Sequence, residues 1–125
     1  MDENEIGERV IGAAINVHRE LGPGLLESAY EAALAFELEE IGLEFERQMV
    51  LPVVYRGKTI DAGYRVDLLV ARKVIIELKA IEKVLPVHTA QVISYLKLGG
   101  FKLGYLLNFN ATRMKDGVNR LVNGL

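Results

Sequence analysis

Two acids and a lysine fall close together in the middle of the chain. The stretch Tyr64-Arg65-Val66-Asp67-Leu68-Leu69-Val70 is followed, after Ala71-Arg72-Lys73, by Val74-Ile75-Ile76-Glu77-Leu78-Lys79-Ala80. If these segments form a hairpin around a three-residue loop at 71–73, cross-strand partners sum to 144 and Asp67 lies opposite Glu77. Residues two apart in a strand share a face, so Lys79 joins them. Two adjacent carboxylates repel each other unless something positive lies between them. A hard divalent cation with oxygen ligands, Mg²⁺ above all, would fill that role. A lysine two residues from such a ligand can steady a hydroxide or the charge growing on a phosphate. Taken alone, Glu-x-Lys also suits an ordinary solvent-edge strand, where an Asp–Lys pair adds only a few tenths of a kcal/mol. Asp67 in the opposing register favours chemistry.

Two further groups could join this site. Gln91 and Tyr95 are four apart in a segment with helical spacing and therefore share a face, with His88 nearly on the same line. A solvated helix face would look the same, and His88 has too few partners to be read as a metal ligand. Glu27, in Gly24-Leu25-Leu26-Glu27-Ser28-Ala29-Tyr30, falls in the first turn of a predicted helix. There the helix dipole favours a negative charge. Glu27 is either a plain N-terminal acid or a third acidic metal ligand kept ionised by its position.

The elements that must carry these residues follow from periodicity. Ile6, Val10, Ala13, Ala14, Val17 and Leu21 recur at helical spacing, which predicts a helix over about 4–20, stopped by Gly22-Pro23-Gly24. A second helix is expected from about Leu26 to Ile41, with Leu26, Tyr30, Ala33, Leu34 and Ile41 inward and Gly42 at its end. Residues 44–55 read as extended, with Pro52 marking an edge or a bulge. Arg56-Gly57-Lys58 reads as a turn, 59–70 as a strand broken at Gly63, and Val74 to Lys79 as a buried strand. A helix over 87–98 ends at Gly99-Gly100, and a last strand covers 101–109. The tail from Thr112 to Leu125 is expected to be partly helical. The order ααβββαβ predicts a single α/β (α+β) domain over residues 1–125 with a mixed sheet.

With half of its 125 residues hydrophobic and 26% charged, the chain has a globular balance and one core. The absence of cysteine excludes disulfides, thiolate zinc sites and cysteine nucleophiles. No apolar run approaches the roughly 18 residues of a membrane span, and Met1-Asp2-Glu3-Asn4-Glu5 is no signal peptide. A cytoplasmic protein without a membrane partner is therefore the expectation. The net charge of −2 hides an asymmetry: residues 1–46 hold twelve Asp and Glu against two Lys and Arg, residues 47–125 five against thirteen. The basic part either faces a phosphate backbone or pairs with the acidic helices. No Walker loop, dinucleotide loop or His-Glu-x-x-His motif is present.

An acid on a helix, an Asp on a strand, Glu-x-Lys on the next strand and Gln-x-x-x-Tyr on a following helix together resemble the PD-(D/E)XK nuclease superfamily. Gln91-x-x-x-Tyr95 is most like its RecB-like branch. Gly24-x-x-Glu27-x-x-Tyr30 resembles a small bacterial and archaeal group, the GxxExxY proteins. The resemblance runs from about residue 5 to 110 and departs from the pattern at Arg65-Val66-Asp67, where no proline precedes the Asp. It implies a restriction-endonuclease-like core, a central mixed sheet flanked by helices. It implies that Asp67 and Glu77 hold Mg²⁺, or Mn²⁺, and that Glu27 completes or orients the ligand shell. Lys79 would position the attacking water or stabilise the phosphate, while Gln91 and Tyr95 would support the site or touch the nucleic acid.

The expected function is thus a Mg²⁺-dependent nuclease in which metal-activated water attacks a phosphodiester in line. Nucleic acid is the expected partner, DNA ahead of RNA. A chain this small leaves little room for elements that grip it; a second copy or a separate partner protein could supply that surface. Two alternatives are a binding module on the same fold with little or no catalysis, and a hydrolase of small phosphate compounds.

Overall fold

The computed structural model describes residues 1–125. Helix α1 (Glu3–Leu21) opens with a capping box, in which Asp2 accepts from the Glu5 backbone N–H and Glu5 from that of Asp2. Its buried stripe is Ile6, Val10, Ala13, Ala14 and Val17, as the spacing predicts, whereas Leu21, expected to continue it, is 39% exposed at the last residue of the helix. Helix α2 (Glu27–Glu40) buries Tyr30, Leu34, Ala35 and Leu38. Leu26 and Ile41, expected inward, are instead 78% and 40% exposed. They occupy the two cap positions, where the backbone has left the helix and no longer aims side chains at the core.

The extended stretch 44–55 is two strands, β1 (Phe45–Val50) and β2 (Val53–Tyr55), parted at Leu51-Pro52. Pro52 offers no N–H to a ladder, and the Leu51 N–H turns to the Tyr64 carbonyl. Strand β3 (Lys58–Ile60) pairs only with β2, and the break near Gly63 separates it from β4 (Arg65–Val70). Strand β5 (Val74–Lys79) has the expected bounds. Helix α3 (Pro86–Gly99) and β6 (Leu103–Asn108) follow. The tail, expected to be partly helical, has only a short 3₁₀ turn (Met114–Gly117) before β7 (Val118–Val122), an antiparallel edge strand on β6. The turn is short because Gly117 presses against the Asn108 carbonyl where no side chain would fit, and Val118 is directed onto the sheet.

The main sheet has the order β1-β4-β5-β6-β7, antiparallel except for the parallel β5–β6 pair joined across α3. Helices α1 and α2 cover one face over a core that includes Leu68, Val70, Val74, Ile76, Leu78 and Tyr105. Helix α3 covers the other, where Val66, Leu69 and Ile75 meet Tyr95 and Leu96. No helix is long and apolar enough to cross a membrane.

Candidate active site

The β4–β5 hairpin has the register expected from its loop: Leu68, Leu69 and Val70 face Ile76, Ile75 and Val74. The ladder then stops. At the next position the two carboxylates replace the backbone pairing. The Asp67 N–H donates to Glu77 Oε1, and the Leu78 N–H donates to Asp67 Oδ2, each at 2.9 Å. The ladder on the other side of Asp67 is also interrupted, because the facing residue Gln48 has φ of 52°. Alternation slips at the same point. Val66 packs on the α3 side but Leu68 on the α1/α2 side, and on β1 Phe45 and Met49 likewise go to opposite sides. Asp67 thus sits where two ladders open, with its side chain directed at polar partners instead of a core.

The electrostatics follow from this placement. Glu77 is 6% exposed. Burial, reinforced by the Asp67 charge, pushes its carboxyl up to about 8 against the Asp67 N–H and the Lys79 charge, which pull it down. Burial also raises Asp67, opposed by the hydrogen bonds from Leu78 and Gln48. The Tyr95 hydroxyl is raised by burial and then by Glu77, Tyr64 and Asp67, which places it within the field of both carboxylates. Its ring is tilted against Tyr64 at 5.8 Å. Lys79 is partly buried two residues beyond Glu77, enters none of the three ion pairs of the protein, and its charge acts on both carboxyls.

Other expected residues lie further out. Glu27 is exposed in the first turn of α2, and its charge reaches Glu77. Gln91 is exposed one helical turn before Tyr95 and makes no side-chain hydrogen bond. His88 belongs to the helix start: its Nδ1 accepts the Leu85 N–H at 2.9 Å. No three acids or histidines converge as a ready-made metal cluster. The donor set still suits a hard cation. Mg²⁺ keeps several waters and takes one or two protein carboxylates. Two carboxyls forced together, both resisting ionisation, gain most from such a charge between them.

Three residues beyond those expected complete the arrangement. Gln48 Nε2 donates to Asp67 Oδ1 at 3.1 Å and to Glu31 Oε1 at 2.7 Å. Glu31 is also paired with Arg47 at 2.9 Å. The one available signal was that Glu31 stands one turn after Glu27 on α2; nothing in the sequence announces Gln48. Asn108, beside Lys79 on β6, is buried and clasps Ile81 through both ends of its amide, fixing the chain just past the lysine.

The motif Gly24-x-x-Glu27-x-x-Tyr30 has a clear mechanical role. Tyr30 is fully buried, and its ring stacks on Phe109 at 4.6 Å. Its hydroxyl donates to the Gly22 carbonyl at 2.6 Å and accepts the Leu25 N–H at 3.1 Å. Gly24, with φ of 103°, lets the loop curl around that hydroxyl. Tyr30 therefore fixes where α2 starts and hence where Glu27 stands. Tyr30→Phe is expected to lower stability by about 1–2 kcal/mol in urea unfolding, because two backbone groups lose their partner.

A family model described as the PD-(D/E)XK nuclease superfamily matches residues 4–121. No curated protein and no solved structure matches the chain.

Proposed function

Because this chain belongs to the PD-(D/E)XK nuclease superfamily, we propose that it is a nuclease that hydrolyses phosphodiester bonds in nucleic acid, with Asp67 and Glu77 as the residues that hold a divalent cation. The observation that carries this reading is the buried pair itself. Both carboxyls are raised by burial, and each is hydrogen-bonded to the backbone of the other's strand. A scaffold gains nothing from burying two acids beside a lysine. That argues against a purely binding role.

Within the proposal, the fold is the restriction-endonuclease-like core of the superfamily. Mg²⁺ is the preferred cation and Mn²⁺ a substitute. Its chemistry when bound is Lewis acidity toward a water and a phosphate oxygen. Lys79 places a positive charge where negative charge grows on the phosphate. Tyr95 closes the floor beside the carboxylates, and Gln91, exposed on the same helix face, reaches toward the strand being cut. Glu27 adds negative charge at the rim and orients the cation's remaining shell. Gly24, Glu27 and Tyr30 favour the GxxExxY group within the superfamily. The substrate is nucleic acid, DNA ahead of RNA.

The test is cleavage of labelled single- and double-stranded DNA and RNA with Mg²⁺, Mn²⁺ or EDTA. Cutting that requires metal is expected. Equal cutting in EDTA, or none on any substrate with either metal, would remove the nuclease reading.

A further inference from the structure

Strands β2 and β3 form a ribbon apart from the main sheet. It has no third strand, and the register Val53–Ile60, Val54–Thr59, Tyr55–Lys58 is its whole ladder. Apart from the half-buried Val53 at its foot, every residue of both strands is exposed, Val54 and Tyr55 by more than 60%. An isolated two-stranded hairpin is marginal in water. Its turn adds to the cost. Arg56 and Gly57 both have positive φ, 52° and 79°, the combination of a type I′ turn. That turn favours Asn-Gly, so an arginine there is held against its conformational preference. From Val50 to Ile60 the chain has no acidic residue, and the tip carries Arg56 and Lys58.

The ribbon also stands beside the site. Its foot is closed by the Leu51 N–H on the Tyr64 carbonyl at 3.0 Å. Tyr64 lies against Tyr95, and Asp67 follows three residues later on β4. We propose that the β2–β3 ribbon is the arm that holds duplex DNA over the carboxylate pair, with Arg56 and Lys58 on the phosphates. The inference rests on the nuclease reading and adds the form of the substrate. A two-stranded ribbon fits the wide major groove of B-DNA, whereas the major groove of A-form RNA is too narrow to admit it. The tip carries Arg56 and Lys58 with no acidic residue from Val50 to Ile60, which complements a polyanion.

The test is fluorescence anisotropy of labelled duplex DNA, duplex RNA and single-stranded DNA in EDTA. The proteins are wild type, Arg56→Asn/Lys58→Gln, and Arg19→Ala/Arg113→Ala/Lys115→Ala. The first variant keeps a residue suited to the turn, and its urea midpoint verifies the fold. The second strips the basic cleft of about 330 Å³ between α1 and the loop after β6. The ribbon variant is expected to bind duplex DNA about ten-fold or more weakly, with a salt slope lowered by about 2. The cleft variant is expected to bind it nearly as wild type does. Unchanged duplex affinity in the ribbon variant, a loss found only in the cleft variant, or equal loss for single strands would overturn the assignment while leaving the nuclease reading intact. A wild type that neither binds nor cuts any nucleic acid would remove both.

Discussion

Asp67→Asn is expected to lower metal-dependent cleavage by about 10³-fold, and Lys79→Ala by about 10²- to 10³-fold. The two losses have different origins. Asparagine retains an oxygen for the Leu78 N–H, which Asp67 Oδ2 accepts at 2.9 Å, so the hairpin survives while the charge and the acceptor for Gln48 Nε2 are removed. Affinity for the cation should fall with activity and be measurable by calorimetry. Lys79 enters no ion pair. In the proposed reaction its charge acts on the phosphate, where negative charge is greatest in the transition state. Lys79→Ala should therefore reduce kcat far more than it raises KM, and Lys79→Arg should restore part of the rate. Single-turnover cleavage across the three variants checks both statements. Full activity in Asp67→Asn would remove the assignment of the metal ligand, and a pure KM effect in Lys79→Ala would make it a ground-state binder.

The second large effect concerns stability and pH. In the metal-free protein the Glu77 carboxyl is pushed up to about 8, by burial first and by Asp67 second, from an ordinary 4.5. A carboxyl whose folded value is raised stabilises the fold most below its unfolded value, and the benefit is lost as pH rises through the folded value. The metal-free protein therefore pays for ionising Glu77 between about pH 4.5 and pH 8, roughly 3 kcal/mol of it between pH 5.5 and pH 8. Glu77→Gln is neutral throughout and keeps an oxygen for the Asp67 N–H. The variant should match wild type near pH 5 and melt on the order of 10 °C higher near pH 8. Mg²⁺ should raise the wild-type melting temperature more at pH 8 than at pH 5.5, with proton release on binding, and do little for Glu77→Gln. Parallel thermal scans at pH 5.5, 7 and 8, with and without Mg²⁺, decide it. A difference that does not grow with pH would mean that Glu77 ionises freely in the fold.

How much of this was legible in the sequence depends on range. Val74 to Lys79 had to be a central strand because its apolar run is buried on both sides, and the three-residue loop fixed its register with Asp67. The α1 stripe was equally plain. Leu26 and Ile41 misled because helical spacing continues through residues whose backbone has already left the helix. Strand β7 was hidden by Asn119 and Arg120, which interrupt any apolar alternation, while its pairing with β6 is a long-range event. Gln48 was hidden for a stronger reason: its role depends on a left-handed backbone angle opposite Asp67, and no local pattern encodes a kink that exists to serve another strand. The acids and the lysine could be named from spacing; their interlocked hydrogen bonds could not.

The kink at Gln48 has one more consequence. Strand β1 has β4 on one side only, so its other side is an open sheet edge. Such an edge is a template on which another chain can add a strand and begin aggregation. With φ of 52° in the middle and alternation reversed across it, β1 offers a flat ladder only for Phe45–Arg47 and then for Met49–Val50. An incoming strand that matches one segment is out of phase with the other, and Glu46 and Arg47 stand exposed beside the break. The backbone angle that delivers an amide to Asp67 thereby also protects the protein against self-association through its edge.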